Sequence, residues 1–190
     1  MNEFIEIRWH ARAGQGAVTA AKALADAATA GGKYVQAFPE YGPERMGAPL
    51  RAYNRVSGEP ILIHCQVTNP TIVIIIDQTL IATANVTEGV ADGGIYIVNS
   101  EMSPEEVWKK LKLTSGKVYT VDATKISLET IGRPIPNTPI LGVVARVTEI
   151  IKIEDVKMEV EKSFGKKFGP SVVEANIKAV DRAYAEVKGV

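Results

Sequence analysis

The 190-residue sequence predicts a doubly wound α/β fold: a mostly parallel, Rossmann-like sheet with an antiparallel strand and a helical C-terminal third. Three observations predict it. Short runs of strand character alternate with helical stretches through the N-terminal part of the chain. One run, TIVIIID at residues 71–77, carries consecutive aliphatic residues, the pattern of a central parallel strand covered on both faces. From Pro139 onward the pattern is helical.

The elements follow in order. Residues 3–9, EFIEIRW, alternate apolar and polar and run into a glycine-bearing turn, which predicts the first strand. Residues 17–32, AVTAAKALADAATAGG, are alanine-rich and end in a double glycine, so a helix with a left-handed cap is expected. Its small side chains allow close packing on a sheet. KYVQAF then predicts a second strand feeding the stretch PEYGPERMGAP, residues 39–49. In LRAYNRVS, Leu50, Ala52 and Val56 face one way and Arg51, Tyr53 and Arg55 the other, which predicts a half-exposed antiparallel strand before an SGEP turn. GGIYIVNS and KVYTVDA predict further strands. Between them, SPEEVWKKLK offers Ser103 as N-cap, Pro104 at the first helical position and Glu106 to complete a capping box. Asp92-Gly93-Gly94 reads as a hairpin-style turn. Three helices close the chain: PILGVVARVTEII, EDVKMEVEKSF and PSVVEANIKAVDRAYAEVK. In the last, Val172, Ala175, Ile177, Val180, Ala183 and Tyr184 form a packing stripe. No repeat or linker interrupts the pattern, and one domain over residues 1–190 is expected.

Composition narrows the function classes. The formal net charge is +0, so no field of one sign gathers nucleic acid or an anionic membrane. The longest aliphatic run, residues 72–76, is far too short to span a bilayer, and the acidic start MNEFIEIRWH is unlike a secretion signal, so a cytoplasmic chain is expected. One cysteine, Cys65, excludes an internal disulfide and a four-thiolate iron–sulfur cluster held by this chain alone. With only His10 and His64 beside it, a zinc site is not expected either. Cys65, among aliphatic residues, reads as a small buried side chain, and His64 as a structural or surface residue.

HARAGQGA, residues 10–17, joins the first strand to the alanine-rich helix. A helix start leaves N–H groups unpaired at the positive end of the dipole, and Gly14 and Gly16 permit close approach. The turn serves either as a tight strand-to-helix connection or as an anion contact through Arg12, Gly14, Gln15 and Gly16; Arg12 weighs toward the contact. It is a poor dinucleotide fingerprint. Ala11 and Ala13 stand where the first two glycines of G-x-G-x-x-G belong, and no acidic residue closes the second strand at Ala37 and Phe38. An NAD- or FAD-dependent oxidoreductase is therefore disfavoured.

Taken together, these segments resemble the gamma subunit of 2-oxoacid:ferredoxin oxidoreductases, above all the pyruvate type. HARAGQGAVTAAKALA is similar to the family's H-G-R-G-G-Q-G-A-V-T-A-A opening. YGPERMGAPLRAYNRV is similar to its F-G-P-E-R-R-G-A-P block, and NTPILGVVARVTEI, beginning at Asn137, resembles its N-T-P-x-L-G segment. Gly47-Ala48-Pro49, where 2-oxoglutarate relatives tend to read G-G-T, favours the pyruvate branch. The resemblance implies a non-catalytic subunit of an enzyme that oxidatively decarboxylates pyruvate, forms acetyl-coenzyme A and reduces ferredoxin or flavodoxin. It implies alpha, beta and delta partners that carry thiamine diphosphate, magnesium and iron–sulfur clusters, with coenzyme A near this chain. Ala11, Ala13 and Met46 depart from the family pattern, and Met46 removes a charge common there.

The proline-glycine stretch then reads as a docking or lining loop, its shape set in advance by prolines. Tyr41, Gly42, Glu44, Arg45 and Met46, with Asn137, are its candidate contacts, first to a sister subunit and second to coenzyme A. No catalytic or metal-binding set stands out, and EDVKMEVEK reads as a solvated helix face. Two alternatives stay open: a gamma-type subunit of a branched-chain 2-oxoacid or indolepyruvate enzyme, and a stand-alone module binding coenzyme A or another nucleotide.

Overall fold

Strand character at the N-terminus extends three residues beyond the predicted EFIEIRW. The computed structural model, which describes residues 4–40 and 47–189, places β1 at Ile5–Arg12. Pairing keeps its end extended: Arg12 lies opposite Pro49, the first residue of β3 (Pro49–Ser57). The full order is β1, α1 (Ala17–Ala30), β2 (Tyr34–Glu40), β3, β4 (Ile72–Ile75), α2 (Leu80–Thr83), β5 (Ile95–Asn99), α3 (Pro104–Leu111), β6 (Lys117–Val121), α4 (Ala123–Ile131), α5 (Asn137–Val147), α6 (Ile153–Gly165), α7 (Pro170–Glu186) and β7 (Lys188–Gly189).

The strands form one sheet in the spatial order β2-β3-β1-β4-β5-β6-β7. β1, β4, β5 and β6 are parallel neighbours, β3 is antiparallel to both β1 and β2, and β7 is antiparallel to β6. β1, β2, β4, β5 and β6 thus run one way. The predicted fold class stands, with a second reversed strand, β7, that the sequence pattern did not show.

Alternation along β4 divides the core. Ile72, Ile74 and Ile76 point to one face, where Ile7, Trp9 and Ala52 join residues of α1, α4, α5, α6 and α7. Val73 and Ile75 point to the other, packing with Val98, Leu80 of α2 and Val107 and Leu111 of α3. The five-aliphatic run therefore needs both faces covered, as predicted. The alanine face of α1, including Ala17, Ala20, Ala21, Ala27 and Ala28, is buried against the sheet. There Asn54 accepts a 2.8 Å hydrogen bond from the Trp9 indole and donates one of 2.8 Å to the Ala21 carbonyl, so sheet and helix are tied by a satisfied buried amide.

Several expectations change. β3 is not half-exposed: residues 52–57 are buried throughout. Arg55, 1% exposed, is compensated by Glu6 at 2.8 Å, Gln36 at 3.0 Å and the Cys65 carbonyl at 3.1 Å, so an arginine pattern that suggests solvent marks an internal tie. The Cys65 side of that tie belongs to an irregular segment, residues 58–70, whose Ile63 carbonyl also accepts from Gln36 of β2, and Cys65 itself is exposed rather than buried. Asp92-Gly93-Gly94 does form a turn, but it leads into β5, parallel to β4, and closes no hairpin. α2 and α4 were not predicted, although α4 has Asp122 as N-cap and Gly132 in the left-handed conformation at its end. The capping box of α3 is present as predicted, with Ser103 and Glu106 bonding each other's backbone N–H groups.

Candidate functional site

The sheet order reverses beside β1: the chain leaves β1 for β2 and β3 on one side, then returns to lay β4 on the other. Crevices outside the carboxyl ends of strands at such a point are the usual ligand sites of open α/β sheets. Here the crevice is edged by the turn after β1, the end of β4 and the ends of β5 and β6.

Asp77, the residue that ends the aliphatic run, organises the centre. It accepts from the Gln15 amide at 2.8 Å, the Thr79 N–H at 2.9 Å and the Thr79 hydroxyl at 2.6 Å, with the Arg12 guanidinium at 3.3 Å. Burial pushes the Asp77 carboxyl up. The hydrogen bonds from Thr79 and Gln15, aided by the charge of Arg12, outweigh that effect and hold it below the ordinary carboxylate value. Arg12 also donates to the Gly47 carbonyl and the Thr79 hydroxyl, each at 3.0 Å, and Gln15 accepts from the Arg12 N–H at 2.8 Å. The Ala13 N–H donates to the Ala48 carbonyl at 2.9 Å. The turn after β1, the start of α2 and the returning end of the 39–49 stretch are thus one hydrogen-bonded unit.

Arg12 and Gln15, read from sequence as anion contacts, spend their polar groups inside this unit. The backbone of Gly14 and Gly16 remains: among the described residues neither N–H has a partner, and both glycines have positive φ, 98° and 81°. Gly16 caps α1 in the left-handed conformation, and a Cβ there would lie 2.6 Å from the Asn137 amide nitrogen. Only glycine fits. Asn137, at the start of α5, is thereby brought against the glycine turn, and its buried Oδ1 has no hydrogen-bond partner among the described residues. The structure gathers Arg12, Gly14, Gln15, Gly16 and Asn137. Tyr41, Gly42, Glu44, Arg45 and Met46 lie outside the described residues.

Sequence reasoning missed the far bank of the crevice. Asn99, at the end of β5, donates to the Ile76 carbonyl at 2.9 Å and to Thr124 at 2.8 Å, and Ser100 donates to Gln78 at 2.7 Å. These polar residues follow strand ends, which is the signal that could have found them. Two adjoining clefts run along this edge, of about 320 Å³ and about 500 Å³, sharing Ser100, Glu101 and Asp122. No helix among the described residues is long and apolar enough to cross a membrane.

The pattern of the pyruvate ferredoxin/flavodoxin oxidoreductase family matches residues 6–186. The chain is similar to pyruvate synthase subunit PorC of Thermotoga maritima, 51% identical over 98% of this chain and 96% of the relative. It is also similar to the pyruvate/ketoisovalerate oxidoreductases common subunit gamma of Thermococcus kodakarensis, 51% identical over 95% of each chain. The crystal structure of pyruvate oxidoreductase subunit PORC from Thermotoga maritima superposes with a TM-score of 0.87 at 48% identity, covering 98% of both chains. With the family pattern spanning residues 6–186, and relatives about half identical over nearly the whole chain, the chain belongs to the pyruvate ferredoxin/flavodoxin oxidoreductase family.

Proposed function

We propose that this chain, as one domain over residues 1–190, is the gamma subunit of a pyruvate:ferredoxin or flavodoxin oxidoreductase (EC 1.2.7.1). The complex converts pyruvate and coenzyme A to acetyl-coenzyme A and carbon dioxide, and passes two electrons to its carrier. The observation that carries this reading is near-half identity, end to end, with relatives named as subunits of such enzymes. A chain with one cysteine needs partners for iron–sulfur chemistry. Alpha, beta and delta subunits supply the clusters, thiamine diphosphate and magnesium, in the cytoplasm.

The chain's own residues have two tasks. The hydrogen-bonded unit around Asp77 holds Gly47 and Ala48, and Tyr41, Gly42, Glu44, Arg45 and Met46 of the same 39–49 stretch are the candidate contacts to a sister subunit. The Gly14 and Gly16 N–H groups, at the positive end of α1 and beside Asn137, fit one phosphate of coenzyme A. Arg12 neutralises Asp77 there, which removes the charge that would repel it.

A second reading has one observation in its favour. The Thermococcus relative is named as common to pyruvate and ketoisovalerate oxidoreductases, so this gamma subunit also serves a branched-chain 2-oxoacid enzyme if its partners are shared. The test is purification of a tagged chain coexpressed with the sister subunits. Co-purification that weakens in R45A and Y41A, or a raised KM for coenzyme A, is expected; wild-type values for both properties would remove the loop from the proposal.

A further inference from the structure

The sheet face that carries α2 and α3 changes character across its width. Over β4, β5 and β6 its side chains include Val73, Ile75 and Val98. The cross-strand register leads from Val73 to Arg8, Tyr53 and Phe38, and from Ile75 to His10, Arg51 and Glu40. Two cations and a histidine therefore stand where the neighbouring strands place aliphatic groups.

Arg8 is 3% exposed and His10 2%. A guanidinium withdrawn from water calls for a nearby anion or a full set of acceptors. Arg8 donates to His10 Nε2 at 2.9 Å and to the Val86 carbonyl at 3.0 Å, both neutral, and among the described residues it makes no ion pair. Because His10 Nε2 accepts that bond, the ring's proton belongs on Nδ1. Burial first, then the charges of Arg8 and Arg51, push the imidazole down to about 3, so it remains a neutral N–H donor in ordinary buffers.

His10 lines a pocket of about 140 Å³ beside β3 and α2, with Leu50, Leu80 and Ala84 as apolar walls and Arg51 and Glu40 as polar ones. Glu40 accepts the Tyr53 hydroxyl and lies 4.0 Å from Arg51, the outer limit of an ion pair, so the Arg51 guanidinium is only loosely held. We propose that this pocket is a binding subsite for one small carboxylate group, taken between the Arg51 guanidinium and the His10 Nδ1–H. Its volume is that of roughly four or five waters, enough for a carboxylate on a short carbon chain. The nearby Glu40 charge disfavours a doubly charged phosphate. The carboxylate is presented either by a free organic acid or by an acidic side chain of a neighbouring subunit.

The test titrates the full ¹⁵N-labelled chain with acetate and with propionate at constant ionic strength, following the His10 ring and the Arg51 side-chain N–H by NMR. The two sites shift together and saturably, and R51Q weakens the response about 10- to 100-fold while R51K retains part of it. Arg51 is partly exposed, so R51Q keeps the remaining spectrum and serves as its own folding control. The same titration on the chain assembled with its sister subunits separates the sources. An acidic side chain as occupant abolishes the acetate response on assembly and makes R51Q assemble more weakly. A free acid leaves both the response and the R51Q assembly constant intact. Non-saturating shifts, or an R51Q chain that binds acetate like wild type, overturn the proposal.

Discussion

An unfolded chain protonates His10 near pH 6.5, whereas the folded chain keeps the imidazole neutral down to about pH 3, first because it is buried and then because Arg8 and Arg51 stand beside it. Between those values the unfolded state binds more protons, so stability is lost as the pH falls. From pH 7 to pH 5 this single group removes about 2 kcal/mol, a large share of a small domain's stability. Asp77, held below its ordinary value, contributes stability that is lost only at lower pH. The assay is urea unfolding of wild type and H10Q at pH 7 and pH 5. Glutamine retains an acceptor for the Arg8 Nε–H but cannot ionise. Wild type loses about 2 kcal/mol more than H10Q over the interval. Equal losses in the two proteins, or a His10 ring that titrates near 6.5 by NMR, would refute the reasoning.

D77N removes the charge that holds Arg12, Gln15 and Thr79 together; it costs about 1–3 kcal/mol and speeds hydrogen exchange at the Arg12 and Ala13 N–H groups, which bond Gln15 and the Ala48 carbonyl, more than in the core, measured by melting and exchange mass spectrometry. G142A places a Cβ against the Val180 carbonyl where α5 crosses α7, and lowers stability by about 1–3 kcal/mol in urea; an unchanged midpoint would show that the helices separate freely. S103A breaks the capping box of α3 and costs about 1 kcal/mol by the same measurement.

What was legible in the sequence shares a physical origin: local signals. The aliphatic run of β4, the alanine face of α1 and the Ser103–Glu106 pair are each specified within a few residues, and each is present. Features set by distant partners were hidden. Arg55 looked solvent-facing because Glu6, Gln36 and the Cys65 carbonyl, which satisfy it, come from three other segments. Cys65 looked buried because its neighbours are aliphatic, yet residues 58–70 form no regular element and leave the cysteine exposed. The glycine turn was readable as a turn, but Arg12 and Gln15 were assigned outward roles because Asp77 is more than sixty residues away in sequence. Asn137 was found through family resemblance, and the structure supplies its position: it packs on Gly16, where no side chain fits.

The most direct test of the account is pyruvate-dependent ferredoxin reduction, measured with thiamine diphosphate, magnesium and coenzyme A. The purified chain alone gives no turnover, while adding it to a preparation of its sister subunits that lacks it restores the rate. Turnover by the chain alone, or a complex whose rate and assembly are indifferent to its addition, would contradict its role as a non-catalytic subunit.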